Sequence, residues 1–395
     1  MRRFFFFFLA LLTALAPAEA QLGKRIVVRS GSPEDKALSE ISATSDPAQK
    51  RALLEKFLAE YGQGDMAVLA YELYIAQYQT EKNYDKVFEY GEKLLAVDPE
   101  NLAAAVSMFR AAQEKGDVQK LFSLGERAAG ILARYKAKPA PEGTSAADWE
   151  LQKSTALAEA RDSINYLEYT LFMTGYQTRN PADRTALLER FAAAFPDSAY
   201  TLNAQALVAA AYQQMQNYPK MLDSAGKVLA RDPENLSMLL LLADYFSERG
   251  EQLDKAGGYA KKSLDVLAGG RKPEGLTDDQ WQKQAALQKG LAWTALGQVY
   301  IQRRRDPQAL EAFRTAAPLL KPDPVTYARN QYRMGFALIN LKRLAEARAA
   351  LTEAAAIDSP YRSLRKSCRR CPPRLLRSGR SAPGRLGRAS PIDPS

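Results

Sequence analysis

Apolar residues return along most of this chain at spacings of three and four, the period of a helix that buries one face. Asp46 to Tyr61, DPAQKRALLEKFLAEY, puts Leu53, Leu54, Phe57 and Leu58 on one side, behind a proline in the first turn. Tyr71, Tyr74 and Tyr78 are followed by Val87 and Leu94, a pair of helices closing at Pro99, with Gly91 where a large residue is usual. Residues 102–135 predict another pair that turns at Gly116-Asp117. Val208, Ala209 and Tyr212 precede Met221, Ala225 and Val228, and Leu239, Leu242, Ala243 and Phe246 open a pair that turns at Gly250. Met334, Gly335 and Leu338 precede Ala347, Leu351 and Ala354 in the last one.

The pattern repeats on a longer scale. Asn180 to Phe195, NPADRTALLERFAAAF, matches residues 46–61 at an offset of 134, and Asp98-Pro99-Glu100-Asn101 matches Asp232-Pro233-Glu234-Asn235 at the same offset, as Gly116 matches Gly250. A register kept over about seventy residues indicates an internal duplication of a multi-helix unit. A third, partial cycle begins at Asp306-Pro307, with Pro322-Asp323 answering Pro196-Asp197 at an offset of 126. Two polar loops interrupt the helices, each carrying Pro-Glu-Gly, at Pro141 and Pro273, and each leading into a helix with a tryptophan, Trp149 or Trp281, expected to pack in the core. The division expected is a first helical unit at 46–136, a loop at 137–147, a second unit at 148–267, a loop at 268–278 and a C-terminal set at 279–361.

The most informative stretch is Gly290 to Ala316, GLAWTALGQVYIQRRRDPQALEAFRTAA. Trp293, Leu296, Gly297 and Tyr300 share one helical face, and Ala309, Phe313 and Ala316 share a face of a second helix beyond a turn at Arg305-Asp306-Pro307. Large residues of one helix fall over small residues of the other, which lets two antiparallel helices approach closely. This resembles the tetratricopeptide repeat, a helix-turn-helix of about 34 residues with the pattern W-x2-L-G-x2-Y, then A-x3-F-x2-A, then Pro. Seven positions match in register, and the resemblance extends with weaker members over roughly residues 46–358. It implies an all-α, right-handed superhelical solenoid of antiparallel helix pairs.

Composition agrees with helix: Ala, Leu, Glu, Lys, Gln and Arg dominate. The formal charge of +10 suggests capture of nucleic acid or anionic membrane, but residues 362–395 hold ten Lys and Arg against Asp393 alone, so the helical region is nearly neutral and that partner class loses its support. The chain has no histidine, and its two cysteines, Cys368 and Cys371, lie in the same tail. Ser-His-Asp and Cys-His catalysis and the usual zinc sites are therefore excluded from the helical region, no pair of carboxylates stands out as an acid–base couple, and no catalytic residue, metal or cofactor is expected. Arg2, Arg3, the apolar run Phe4 to Leu15 and Ala18-Glu19-Ala20 read as a signal peptide at 1–20, cleaved after Ala20, which implies a periplasmic or secreted protein of bacterial type with no membrane span after cleavage. Residues 21–45 read as a flexible leader, and 362–395 as a basic disordered tail, for which a shifted reading frame is preferred over a basic arm for nucleic acid or anionic lipid and over a redox or metal C-x2-C.

In the family resembled, the first helix of each pair lines a groove that holds an extended peptide or a partner's helix. In register, that points Glu72, Ala76, Gln79, Ala206, Ala210, Gln213, Gln214, Asp244, Glu248, Gln298, Gln302, Phe336 and Asn340 to the groove. Some members clamp a peptide's terminal carboxylate with basic groups on this face, for which Arg110 and Arg329 are the only basic candidates here. The function implied is a non-enzymatic protein-interaction scaffold of the bacterial envelope. Two rivals are a structural subunit of an envelope assembly or secretion complex, and a glycan-binding protein or enzyme resting on Trp149, Trp281, Tyr71, Tyr74 and Tyr78.

Overall fold

The computed structural model describes residues 22–363, apart from 25, 271, 273 and 274. The signal-peptide reading and all of the basic tail beyond Ser363 lie outside the described residues. Among the described residues there are helices and no strands. They run α1 (Pro33–Ala43), α2 (Pro47–Tyr61), α3 (Met66–Thr80), α4 (Tyr84–Val97), α5 (Leu102–Lys115), α6 (Val118–Ala137), α7 (Ala146–Glu159), α8 (Arg161–Gln177), α9 (Pro181–Ala194) and α10 (Thr201–Gln214). After them come α11 (Tyr218–Arg231), α12 (Leu236–Arg249), α13 (Leu253–Ala268), α14 (Asp278–Gln302), α15 (Asp306–Leu320), α16 (Pro324–Asn340) and α17 (Leu344–Ala356). The chain divides into two compact units that meet within α11, between Lys227 and Val228.

Successive helices pair as hairpins. In the first unit α3 packs on α4, α5 on α6 and α8 on α9; in the second α12 packs on α13, α14 on α15 and α16 on α17. The close contacts are those the bulky and small positions predict. A Cβ on Gly297 of α14 would lie 2.5 Å from Cε1 of Phe313 on α15, so only glycine admits that ring. Phe313 is fully buried, a burial that contributes about 1.5–3 kcal/mol. Gly335 on α16 admits Leu351 of α17 in the same way. The unusual Gly91 of α4 is explained by its neighbour: Met108 of α5 fills the space.

The duplicated sequence gives duplicated hydrogen bonds. Asn101 caps α5 by accepting from the Ala104 N–H at 2.9 Å, and Asn235 caps α12 by accepting from Met238 at 3.3 Å. The amide of each cap donates to the aspartate three residues before it, Asp98 at 3.2 Å and Asp232 at 3.1 Å. The hairpin turns also share one design. Lys82, Gly116, Gln216, Gly250, Arg304 and Lys342 all have φ between 55° and 68°, in the left-handed region. In each, the next N–H reaches back five residues: Asn83 to Tyr78, Asp117 to Ala112, Asn217 to Tyr212, Glu251 to Phe246, Arg305 to Tyr300 and Arg343 to Leu338, at 2.8–3.1 Å.

The expected flexible leader is corrected. Its Pro33–Ala43 stretch is helix α1, capped by Ser32, whose Oγ accepts from the Asp35 N–H at 3.2 Å. Ile41 and Leu22 are each 1% exposed, the Leu102 N–H donates to the Leu22 carbonyl at 2.9 Å, and the Lys24 N–H donates to Asp98 Oδ2 at 2.9 Å. A helix of 11 residues with a single buried side chain shows no sustained period, which is why the pattern missed it.

Candidate functional site

Within each unit the leading helices of the hairpins lie side by side. In the first unit α3 packs on α5, α5 on α8 and α8 on α10; in the second α12 packs on α14 and α14 on α16. Each row presents one face, and the thirteen residues expected there are all half-buried or exposed. On the first unit α3 carries Glu72, Ala76 and Gln79, and α10 carries Ala206, Ala210, Gln213 and Gln214. On the second, α12 carries Asp244 and Glu248, α14 carries Gln298 and Gln302, and α16 carries Phe336 and Asn340. Several are tied into the fold: Glu72 accepts from Asn101 Nδ2 at 3.1 Å, Gln79 donates to the Ser107 carbonyl at 3.4 Å, and Asn340 donates to Asp306 Oδ1 at 2.8 Å.

The acidic positions of the second unit are not free carboxylates. Asp244 and Glu248 stand four apart on α12, Arg329 and Arg333 four apart on α16, so each pair shares a helical face. Arg329 Nη1 donates to Asp244 Oδ2 at 3.0 Å, and Arg333 faces Asp244 Oδ1 at 3.5 Å as well as Glu248. Arg333 is only 5% exposed, and burial pushes its guanidinium pKa down, against the opposing pull of Asp244. The sequence reading did not include Arg333; its spacing of four from Arg329 was the available signal.

The first unit carries a different chemistry. Tyr169 and Tyr176 of α8 lie on the side of the helix away from Leu167 and Leu171, which pack inward, and Phe172 sits at the margin, half-buried and 6.1 Å from the ring of Phe191 on α9. Tyr169 and Tyr176 are 51% and 52% exposed. The strip continues onto both neighbouring helices. Phe172 and Tyr169 meet Tyr200, at the start of α10, with ring centroids 5.1 and 6.0 Å apart. Tyr166 meets Phe109 of α5 edge-on at 5.6 Å and accepts the Arg110 guanidinium over its ring at 5.1 Å. None of these aromatics was among the expected groove residues, although their spacing of three, three and four along one helix marks a face. By contrast, the tyrosines held up for a glycan site are packing residues. Tyr74 and Tyr78 are 1% and 9% exposed and stack with Tyr90 of α4 at 4.3 and 5.5 Å.

No family model matches this chain, and no curated protein does. Solved structures do show similar helical arrangements at low identity. A MamA RS-1 double mutant is 15% identical over 51% of this chain and 94% of that one, with a TM-score of 0.36. TTC0263, a tetratricopeptide protein of Thermus thermophilus, is 17% identical over 52% of this chain and all of that one, at 0.35. Yeast Tom70 is 12% identical over 89% of this chain and 68% of that one, at 0.33. What decides the fold is internal: the glycine-to-ring contact of Gly297 and Phe313, and the shared left-handed turn between paired helices. The hairpins are of the tetratricopeptide kind.

A tetratricopeptide face that clamps a carboxylate needs unpaired basic groups. Here Arg329 is paired with Asp244, and Arg110 lies over Tyr166. The two basic candidates are thus already engaged, and the exposed chemistry of the first unit's tetratricopeptide face is aromatic and amide. Among the described residues no group of three or more Cys, Asp or Glu is placed to hold a metal ion, and no helix is long and apolar enough to cross a membrane.

Proposed function

We propose that this protein is a non-enzymatic scaffold of the bacterial cell envelope that binds a partner protein's extended segment or helix on the leading-helix face of its first unit. The observation that carries the reading is the exposed pair Tyr169 and Tyr176 on α8, with half-buried Phe172 between them, lying between α5 and α10. Rigid aromatic side chains with an apolar body and a polar tip supply large contact area at little entropic cost, and they dominate protein interfaces. The amides Gln79, Gln213 and Gln214 on the same row offer donors and acceptors to a peptide backbone. Export is supported by Arg2-Arg3, the apolar run from Phe4 and Ala18-Glu19-Ala20.

The test is co-purification of the full chain from an envelope fraction, beside a Tyr169→Ser/Tyr176→Ser variant. Both residues are exposed, so circular dichroism and the melting temperature should match the parent. Loss of a buried aromatic anchor costs about 2 kcal/mol, roughly thirtyfold in affinity. A defined partner retained by the parent and lost by the variant supports the reading; the same partners on both overturn it.

A further inference from the structure

Residues 22–24 lie on the first unit as a bound peptide would, in extended form and through their backbone. Leu22 is buried, and its carbonyl accepts at 2.9 Å from the N–H of Leu102, the first residue of α5. The Lys24 N–H donates to Asp98 Oδ2 at 2.9 Å, and Lys24 Nζ reaches Asp65 Oδ1, just before α3, at 2.7 Å. Between them Gly23 has φ 147°, a conformation that glycine alone adopts readily, and a Cβ there would stand 2.5 Å from Asp98 Oδ2 and 3.1 Å from the Cα of Asn101. Beneath the segment Asn101 donates to Glu72 of α3 and to Asp98, so α3 and α5 present one polar floor. Beyond it Ile26, Val27 and Val28 make no backbone hydrogen bond among the described residues, and Val27 is 80% exposed.

The duplication shows the same floor without such a segment. As far as the Gly116 and Gly250 turns the two copies of the sequence run at an offset of 134, so Asp98, Asn101 and Leu102 correspond to Asp232, Asn235 and Leu236. Both asparagines cap their helices, and both donate to the aspartate three residues before. Yet Asp98, Asn101 and Leu102 are 2%, 1% and 3% exposed, whereas their counterparts are only half-buried. The Leu236 N–H has no acceptor among the described residues, where the Leu102 N–H has the Leu22 carbonyl. Turn and cap therefore form without a covering segment, and α5 does not need residues 22–24 in order to fold.

We infer that residues 22–24 are a releasable strap over a peptide site, and that the vacated site takes from a partner protein an extended segment reading aliphatic, glycine, basic. The strap itself defines that chemistry. Leu22 fills an apolar position, Gly23 passes where no Cβ fits, and Lys24 places its cation against Asp65. The Leu102 N–H and Asp98 Oδ2 give an extended chain one donor and one acceptor for its backbone. Both carboxylates favour a cationic segment over an acidic one. The fastening is slight: two backbone hydrogen bonds, one buried side chain and an exposed ion pair of the sort that contributes little. Because the strap is tethered to its site it competes at high effective concentration, so it shuts out weak ligands and yields to segments that match all three positions. The site uses α3 and α5 and does not rest on the aromatic strip of α8.

The experiment reads the anisotropy of a fluorescein-labelled peptide of residues 21–30, QLGKRIVVRS, against the full chain. The parent, whose own strap fills the site, should bind it weakly. Leu22→Ser/Gly23→Val removes the buried side chain and sets a Cβ against Asp98, so this variant should keep the parent's circular dichroism and bind the peptide at least about tenfold more tightly. In that background Asp98→Ala should lose the gain, while Asp232→Ala, its counterpart, and Tyr169→Ser/Tyr176→Ser should keep it. A peptide carrying Gly23→Val should bind the released chain at least about tenfold more weakly. Equal binding by parent and strap variant overturns the inference, and so does binding that ignores Asp98 or the glycine of the peptide. Hydrogen exchange on the parent decides the matter even if the strap variant does not fold. The Leu102 amide should exchange by local opening, insensitive to low urea, while the Val106 and Phe109 amides inside α5 follow global unfolding. A Leu102 amide that exchanges only with global unfolding overturns the release of the strap.

Discussion

The left-handed turn residue is occupied by glycine at Gly116 and Gly250 but by Lys82, Gln216, Arg304 and Lys342 elsewhere. For a residue with a Cβ that conformation costs about 1–2 kcal/mol. Replacing it by glycine removes the cost but frees the unfolded chain, taking back about 0.4–1 kcal/mol. The difference favours glycine. Arg304 and Lys342 form no ion pair among the described residues, so Arg304→Gly and Lys342→Gly should each raise stability by about 0.5 kcal/mol. Gly116→Ala should lower it by about 0.5 kcal/mol, the same difference with its sign reversed, since a Cβ there meets nothing within 4 Å. Urea midpoints at constant slope measure both, and a Lys342→Gly protein less stable than the parent would show that the lysine is not strained there.

Between helices the decisive quantity is the room for one methyl group. Gly297 and Gly226 both lie in helix interiors, where alanine is the better helix former by about 1 kcal/mol. A Cβ on Gly226 meets nothing within 4 Å, whereas one on Gly297 meets the Phe313 ring at 2.5, 2.7 and 2.8 Å. Gly226→Ala should therefore stabilise by up to about 1 kcal/mol, and Gly297→Ala should destabilise by about 1–3 kcal/mol as the ring is displaced. Thermal melts of the two variants should move in opposite directions; equal shifts would sink the close-packing argument. This contact was legible in the sequence because both partners belong to one hairpin and keep a fixed register, whereas Asn101 and Asn235 showed there only as the end of a repeated Asp-Pro-Glu-Asn. Helix α1 was not legible, since one buried isoleucine makes no period. Nor could the sequence separate Trp149 from Trp281. What distinguishes them is Tyr135 on the preceding helix, whose ring meets that of Trp149 at 6.2 Å, a contact that exists only once the helices pack. The aromatic strip on α8 stayed hidden for a related reason: its face is defined by where Gly175 and Leu171 pack, and Gly175 is fixed by Leu188 of α9.

On the scale of the whole molecule, the absence of histidine leaves the described fold without a group that ordinarily titrates near neutrality, so stability should be flat there. The alkaline side is different, because each unit holds a buried tyrosine tied to a carboxylate. Tyr212 donates to Glu189 Oε1 and Tyr327 to Glu353 Oε1, both at 2.6 Å. Burial first, and then these hydrogen bonds, raise each phenol from 10.0 to about 12. Between those values the native state keeps a proton that the unfolded chain has lost, so stability is fully present below about pH 10 and falls as pH rises towards 12. Burial raises Tyr74, Tyr90, Tyr166 and Tyr332 in the same direction, which adds to the loss. The phenolate absorbance of these six tyrosines should therefore rise together with the loss of helical circular dichroism rather than ahead of it. Tyr212→Phe/Tyr327→Phe removes two of the protons being held. The variant should be less stable than the parent near neutral pH, since Glu189 loses the Tyr212 hydroxyl and Glu353 keeps only the Gln331 amide, yet its melting temperature should fall less steeply above about pH 10. A slope equal to the parent's would mean that these two phenols ionise without unfolding the helices around them.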